Sequence, residues 1–92
     1  MLYTAKCFWP GVGESEIRLA AARASREAVQ HHTGFRGALY LPAEELVLCL
    51  FEATSPSSVK SESESAGMPC ERVMETVWIA PVGEGQLERS KR

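Results

Sequence analysis

Leu46-Val47-Leu48-Cys49-Leu50-Phe51-Glu52-Ala53 is an eight-residue run, apolar at seven positions, set between Pro42-Ala43-Glu44-Glu45 and Thr54-Ser55-Pro56. A strand with one wet face alternates polar and apolar residues, whereas a short run that is apolar nearly throughout suits a strand covered on both faces. A buried helix is the competing assignment. The length of the run and the turn signals at each end, the Ser-Pro step above all, disfavour it. The run therefore reads as a central strand, and the remaining elements are placed around it.

Downstream, Ser55 is an N-cap with Pro56 at the first helical position, which predicts a helix from Pro56 to Ala66. Its inner face is Val59, Ser63 and Ala66, with Lys60, Glu62 and Glu64 outside, and its many serines make it a poor helix former. Gly67 closes it, Pro69 follows, and Arg72 to Ala80 reads as a strand stopped by Pro81. Upstream, Phe35 to Leu41 is a strand weakened by Gly37. Before it, a helix runs from Glu14 to about His32, capped by Gly13, with Glu16 at its third position and Gly34 closing it. Ile17, Ala20, Ala21, Ala24 and Ala28 form its inward stripe, and Arg23, Arg26, Glu27 and Gln30 point outward. Residues 2–9 form the first strand, broken by Pro10-Gly11.

The order is β-α-β-β-α-β, the ferredoxin-like split βαβ arrangement of the α+β class. Right-handed crossovers give a four-stranded antiparallel sheet ordered 4-1-3-2 with both helices on one face. Residues 1–81 make the domain, and 82–92 read as a polar tail expected to be disordered.

A chain of 92 residues buries only about 60% of its extended surface, so its stability is marginal unless another surface is covered. Two helices cover one side of the sheet. Yet Leu46, Leu48 and Leu50 alternate with Val47, Cys49 and Phe51, and Met74 and Trp78 alternate with Val73 and Val77. An open apolar face of that size exceeds what soluble monomers leave in water. A homodimer, in the manner of a dimeric α/β barrel, is the expected cover.

The net charge of −2 and the scattered basic residues argue against nucleic acid or an anionic membrane as partner. No apolar run approaches the roughly 18 residues of a transmembrane helix, and the first residues do not form a signal peptide. Three widely spaced cysteines, with no CxxC pair, suit reduced thiols in a cytoplasmic protein. The chain contains neither Asp nor Asn, so carboxylate chemistry falls to Glu.

Glu52-Ala53-Thr54-Ser55-Pro56, Val59-Lys60, Ala66-Gly67-Met68-Pro69 and Glu71-Arg72-Val73 together resemble a small actinobacterial family typified by a nickel-binding protein. That family pairs an E-A-P-S-P-E-A-I-R helix start with A-G-x-P-x-D-R-I before its last strand. Lys6-Cys7-Phe8-Trp9-Pro10-Gly11 is similar to its first strand and turn, and Cys49 falls where its members often carry cysteine. The resemblance covers about residues 3–79 and implies a bacterial protein with a ferredoxin-like dimeric fold and a nickel site. Family members carry Glu where this chain has Ala5, and His near Ala38 and near Glu62. The ligand set implied by the resemblance is therefore altered at three positions.

Three groups of residues are candidates for chemistry. His31 and His32 are metal-ligand candidates, since imidazole suits nickel or zinc. Adjacent histidines on a helix point about 100° apart and need a further ligand, such as one from the dimer mate; a histidine pair at a helix C-terminus is the alternative. Cys7 and Cys49, on neighbouring strands, are either a soft-metal pair or apolar filler, and Cys70 falls in a loop. Lys6, Glu52 and Glu75, beside Phe8 and Tyr40, form a candidate ligand pocket, or a solvated strand-end cluster or dimer salt bridge. Gly11-Val12-Gly13 lacks the glycines and lysine of a phosphate loop, and no catalytic triad is visible, so no catalytic residue is assigned. The reading is a ligand- or nickel-binding dimeric module. A cofactor-less monooxygenase or isomerase, which needs an enclosed pocket of about 300 Å³ or more, and a structural or assembly subunit are the alternatives.

Overall fold

The computed structural model describes residues 1–82, apart from the side chains of Val29 and His31. The expected tail lies, from residue 83 on, outside the described residues. The apolar run forms strand β3 over Leu46–Ala53. Val47, Cys49, Phe51 and Ala53 on it are buried, alternating with half-buried Leu46, Leu48, Leu50 and Glu52. β3 pairs antiparallel with β1 (Leu2–Phe8) on one side and β2 (Thr33–Leu41) on the other, and β1 pairs with β4 (Cys70–Thr76). The order β2-β3-β1-β4 is the one expected. Helices α1 (Glu14–Glu27) and α2 (Pro56–Ser65) cover one face, α1 over β2 and α2 over β4 and β1. The core between them is Tyr3, Ala5 and Cys7 of β1, the buried residues of β3, Ile17, Ala20 and Ala24 of α1, and Val59, Ala66 and Met68 around α2.

α1 begins as expected: the Gly13 N–H donates to the Glu16 carboxylate at 2.9 Å, and Glu14 and Glu16 lie in the first turn, where the helix dipole favours anions. It ends earlier than the apolar stripe suggests. After Glu27 the chain tightens into a turn of 3-10 helix, Ala28–His31, and His32 takes a left-handed conformation with φ 56°. His32, not Gly34, is the terminating residue, and β2 already begins at Thr33. The outward assignment of Arg23 and Glu27 is also corrected. Arg23 Nε donates to the Ala66 carbonyl at 3.0 Å and Glu27 accepts from the Ser65 hydroxyl at 3.0 Å, so α1 caps the end of α2.

α2 starts with Ser55, whose hydroxyl accepts from the Ser58 N–H at 3.3 Å, and Gly67 terminates it with φ 87°. Glu62, expected on the outer face, is fully buried beside Val59 and Ser63. β4 departs further. Its last pairing is Thr76 with Leu2, the first residue of β1. Val77, Trp78 and Ile79, expected in the strand, leave the sheet and are 78%, 71% and 83% exposed.

Two irregularities change which residues face the helices. In β2 the register slips between Phe35 and Gly37, with Gly37 at φ 123°, a backbone angle open to glycine. In β4, Arg72 pairs with Lys6 while Cys70 pairs with Cys7, which leaves Glu71 as the extra residue.

Ala20 and Ala24 have zero exposure, so there is no room for larger side chains beneath α1. Ala24→Leu should destabilise the fold by about 1–3 kcal/mol in urea denaturation, while exposed Ala22→Leu should stay within about 0.5 kcal/mol of the wild type.

Candidate functional site

Between α1 and the edge strand β2, at the slip beside Gly37, lies an open cleft of about 460 Å³. Ile17, Ala21, Phe35, Ala38 and Tyr40 give it a mostly apolar lining. Phe35 is held edge-on against Phe51 in the core, ring centroids 5.3 Å apart, so that wall is anchored. The Tyr40 hydroxyl donates to the Val12 carbonyl at 3.0 Å, which fixes the ring against the loop before α1. Glu14 and Arg18 stand at the rim. Arg18 donates twice to one Glu14 oxygen, at 2.9 and 2.6 Å, a pair that is largely solvated. The cleft is thus an apolar slot with one cation and one anion at its mouth, a shape that accepts a small amphiphilic molecule.

The expected pocket residues do not converge. Lys6, Phe8 and Glu52 lie on the sheet face turned away from the helices, whereas Tyr40 opposite Val47 and Glu75 opposite Tyr3 lie on the helix side. Lys6 and Glu52 sit four residues apart along the β1–β3 ladder, about 13 Å. Lys6 pairs instead with Glu71 at 3.2 Å, and Glu52 with the N-terminal amine at 3.3 Å. Tyr40 is the one member of the set that lines the cleft. Apolar patterning gives Ile17, Ala21, Phe35 and Ala38 no site role, and Gly37 after Phe35 is the one sequence signal of the local opening.

His32 is exposed at the end of the 3-10 turn, and the side chain of His31 lies outside the described residues. Ala5 and Ala38 both pair with Cys49, so two of the positions where the resembled family carries Glu and His form one row across the sheet, here filled by two methyl groups and a thiol. Among the described residues no three of His, Cys or Glu are placed to hold a metal ion. The described residues therefore do not supply the nickel site that the resemblance implies.

The cysteines gather on the helix side. Cys7 and Cys49 are fully buried and share a hydrogen bond, and Cys49 also donates to the Met68 sulfur at 3.3 Å. That hydrogen bond with Cys49, together with burial, pushes the Cys7 thiol far above its ordinary value. Cys70, expected in an exposed loop, begins β4 directly opposite Cys7 and is half-buried. Burial and then the neighbouring Cys7 raise the Cys70 thiol to about 11.

No family model matches the chain, and no curated protein matches it in sequence. In structure it is similar to SCO4226 from Streptomyces coelicolor A3(2), known from a crystal structure analysis, with a TM-score of 0.76 and 20% identity. The match spans 87% of this chain and 100% of that one. At this identity the likeness establishes the shared fold.

Moving the Cys70 thiol from 9.0 to about 11 lowers its thiolate fraction near pH 8 about 100-fold, and the stronger nucleophilicity of a more basic thiolate recovers about tenfold. Iodoacetamide should therefore alkylate Cys70 in the folded chain about tenfold more slowly than in urea, with a rate that keeps rising with pH to near 11. Equal rates in the two states, followed by mass spectrometry, would refute this environment for the thiol.

Proposed function

We propose that the chain is a homodimeric, small-molecule-binding module whose ligand seat is the cleft between α1 and β2. The observation that carries the reading is the slot itself, about 460 Å³, with an anchored aromatic wall and its charges confined to the rim. The ligand class it suits is an amphiphile, with a flat or branched apolar body against Ile17 and Phe35 and a polar end toward Arg18. An enzyme of the monooxygenase or isomerase type would need a general acid or base held inside the slot. The charged groups here are paired at its mouth, which favours binding over turnover.

The homodimer rests on the other face. Leu39, Leu41, Leu46, Leu48 and Leu50 form a strip there with Phe8, bordered by Lys6, Arg72 and Glu52, and Leu39 and Phe8 are exposed. A leucine strip edged by both signs of charge can meet its own copy across a two-fold axis. Nickel remains the metal implied by family resemblance, with His31 and His32 as the residues to test.

The amphiphilic dye 1-anilinonaphthalene-8-sulfonate is the probe. Its fluorescence titration should saturate, and Ala38→Trp, which fills the slot, should weaken binding tenfold or more while Leu48→Ala on the opposite face leaves it unchanged. The reverse pattern would place the dye on the sheet face and sink the assignment. Sedimentation at rising concentration checks the dimer, a persistent monomer counting against it. Nickel calorimetry on the wild type and on His31→Ala/His32→Ala decides the metal reading, which fails if no heat exceeds dilution.

A further inference from the structure

We propose that Cys7 and Cys70 are an oxidative modification site: a cross-strand disulfide between them latches the edge strand β4 to β1. The register selects this pair. Cys7 and Cys70 are direct partners in an antiparallel ladder, and both side chains stand on the helix side. Directly opposed residues have Cα atoms about 4.5–5.5 Å apart, inside the range a disulfide spans. Cys49 pairs with Ala5 and is the diagonal neighbour of Cys7, its thiol in hydrogen-bond contact with it, but Cys49 is fully buried and out of reach of a small disulfide, so the half-buried Cys70 opposite Cys7 is the partner that can be activated. The extra residue Glu71 brings Cys70 to this position. An unbroken alternation back from Val73 would turn it to the other face.

The co-reactant is a low-molecular-weight disulfide. Half-buried Cys70 is the point of entry, because Cys7 has no exposure. The Cys70 thiolate attacks one sulfur of the small disulfide, breaking its S–S bond and releasing one thiolate. The Cys7 thiolate then attacks the Cys70 sulfur, forming Cys7–Cys70 and expelling the second. The protein loses two electrons and two protons, and the small disulfide becomes two thiols. Since neither cysteine is held as a stabilised thiolate, the bond forms slowly and resists reduction, which makes it a latch rather than a fast sensor.

The test treats the reduced full-length chain with oxidised glutathione at pH 8.5, blocks remaining thiols with N-ethylmaleimide under denaturing conditions, and maps tryptic peptides. The expected product is a monomeric chain lighter by two hydrogens, with peptide 7–18 joined to peptide 61–72 and Cys49 blocked by the reagent. Amide exchange in β4 should slow tenfold or more on oxidation, and Cys70→Ser should show neither the bond nor the slowing. Cys70 left as a stable glutathione adduct, a Cys7–Cys49 bond, an intermolecular bond, or no oxidation would each overturn the proposal.

Discussion

Short side chains at the boundary between helices and sheet set the spacing of this fold. Ala20 and Ala24 of α1, Ala5 and Cys7 of β1, Cys49 of β3 and Ala66 after α2 all have zero exposure. A methyl or thiol lets backbone layers approach closely, but each buries little apolar area, and the transfer term scales with area at about 25 cal/mol per Å². Few large side chains are fully enclosed, Phe51 and Met68 foremost. The thin core explains why the helices are clamped to each other by polar contacts, Arg23 to the Ala66 carbonyl and Ser65 to Glu27, where a thicker core would use packing. The opposite face of β3 carries Leu46, Leu48 and Leu50, each only half-buried.

The same economy of volume shapes the cleft. α1 lies over β2, yet Ala21 and Ala38 leave the space between them unfilled, and the slip at Gly37 opens it further. Bulk at either alanine would close it. The wall that persists is Phe35 because its ring is seated on Phe51, the largest fully buried side chain. The cleft is therefore a by-product of close layer packing interrupted at one edge.

The topology was legible because its signals are redundant. The apolar run of β3, the Gly13 and Ser55 caps, and Pro56 and Gly67 each agree with one arrangement. The site was less legible, and two single-residue irregularities account for most of the difference. Strand faces are read by alternation, and one extra residue inverts the reading for everything beyond it. The slip after Phe35 places Tyr40 on the helix side, and Glu71 does the same for Cys70. Alternation alone assigns both residues wrongly. Gly37 carries a hint of the first irregularity; nothing in Pro69-Cys70-Glu71 announces the second. Glu62 is a different failure, since a carboxylate on a serine-rich helix is ordinarily exposed, and here it is buried. The β1–β4 ladder ends at Leu2 and Thr76, a boundary that β4's own apolar continuation does not encode.

β1 sits between β3 and β4, so the first and last strands of the domain are neighbours. As the chain emerges from a ribosome, the β2–β3 hairpin can close locally and β1 can dock on it. One flank of β1 then stays unpaired until residues 70–76 have been synthesised. Pairings this distant in sequence close slowly, and an exposed strand flank is a template for the wrong neighbour. Until β4 arrives, that flank of β1 is an open edge of the kind a second chain can pair with.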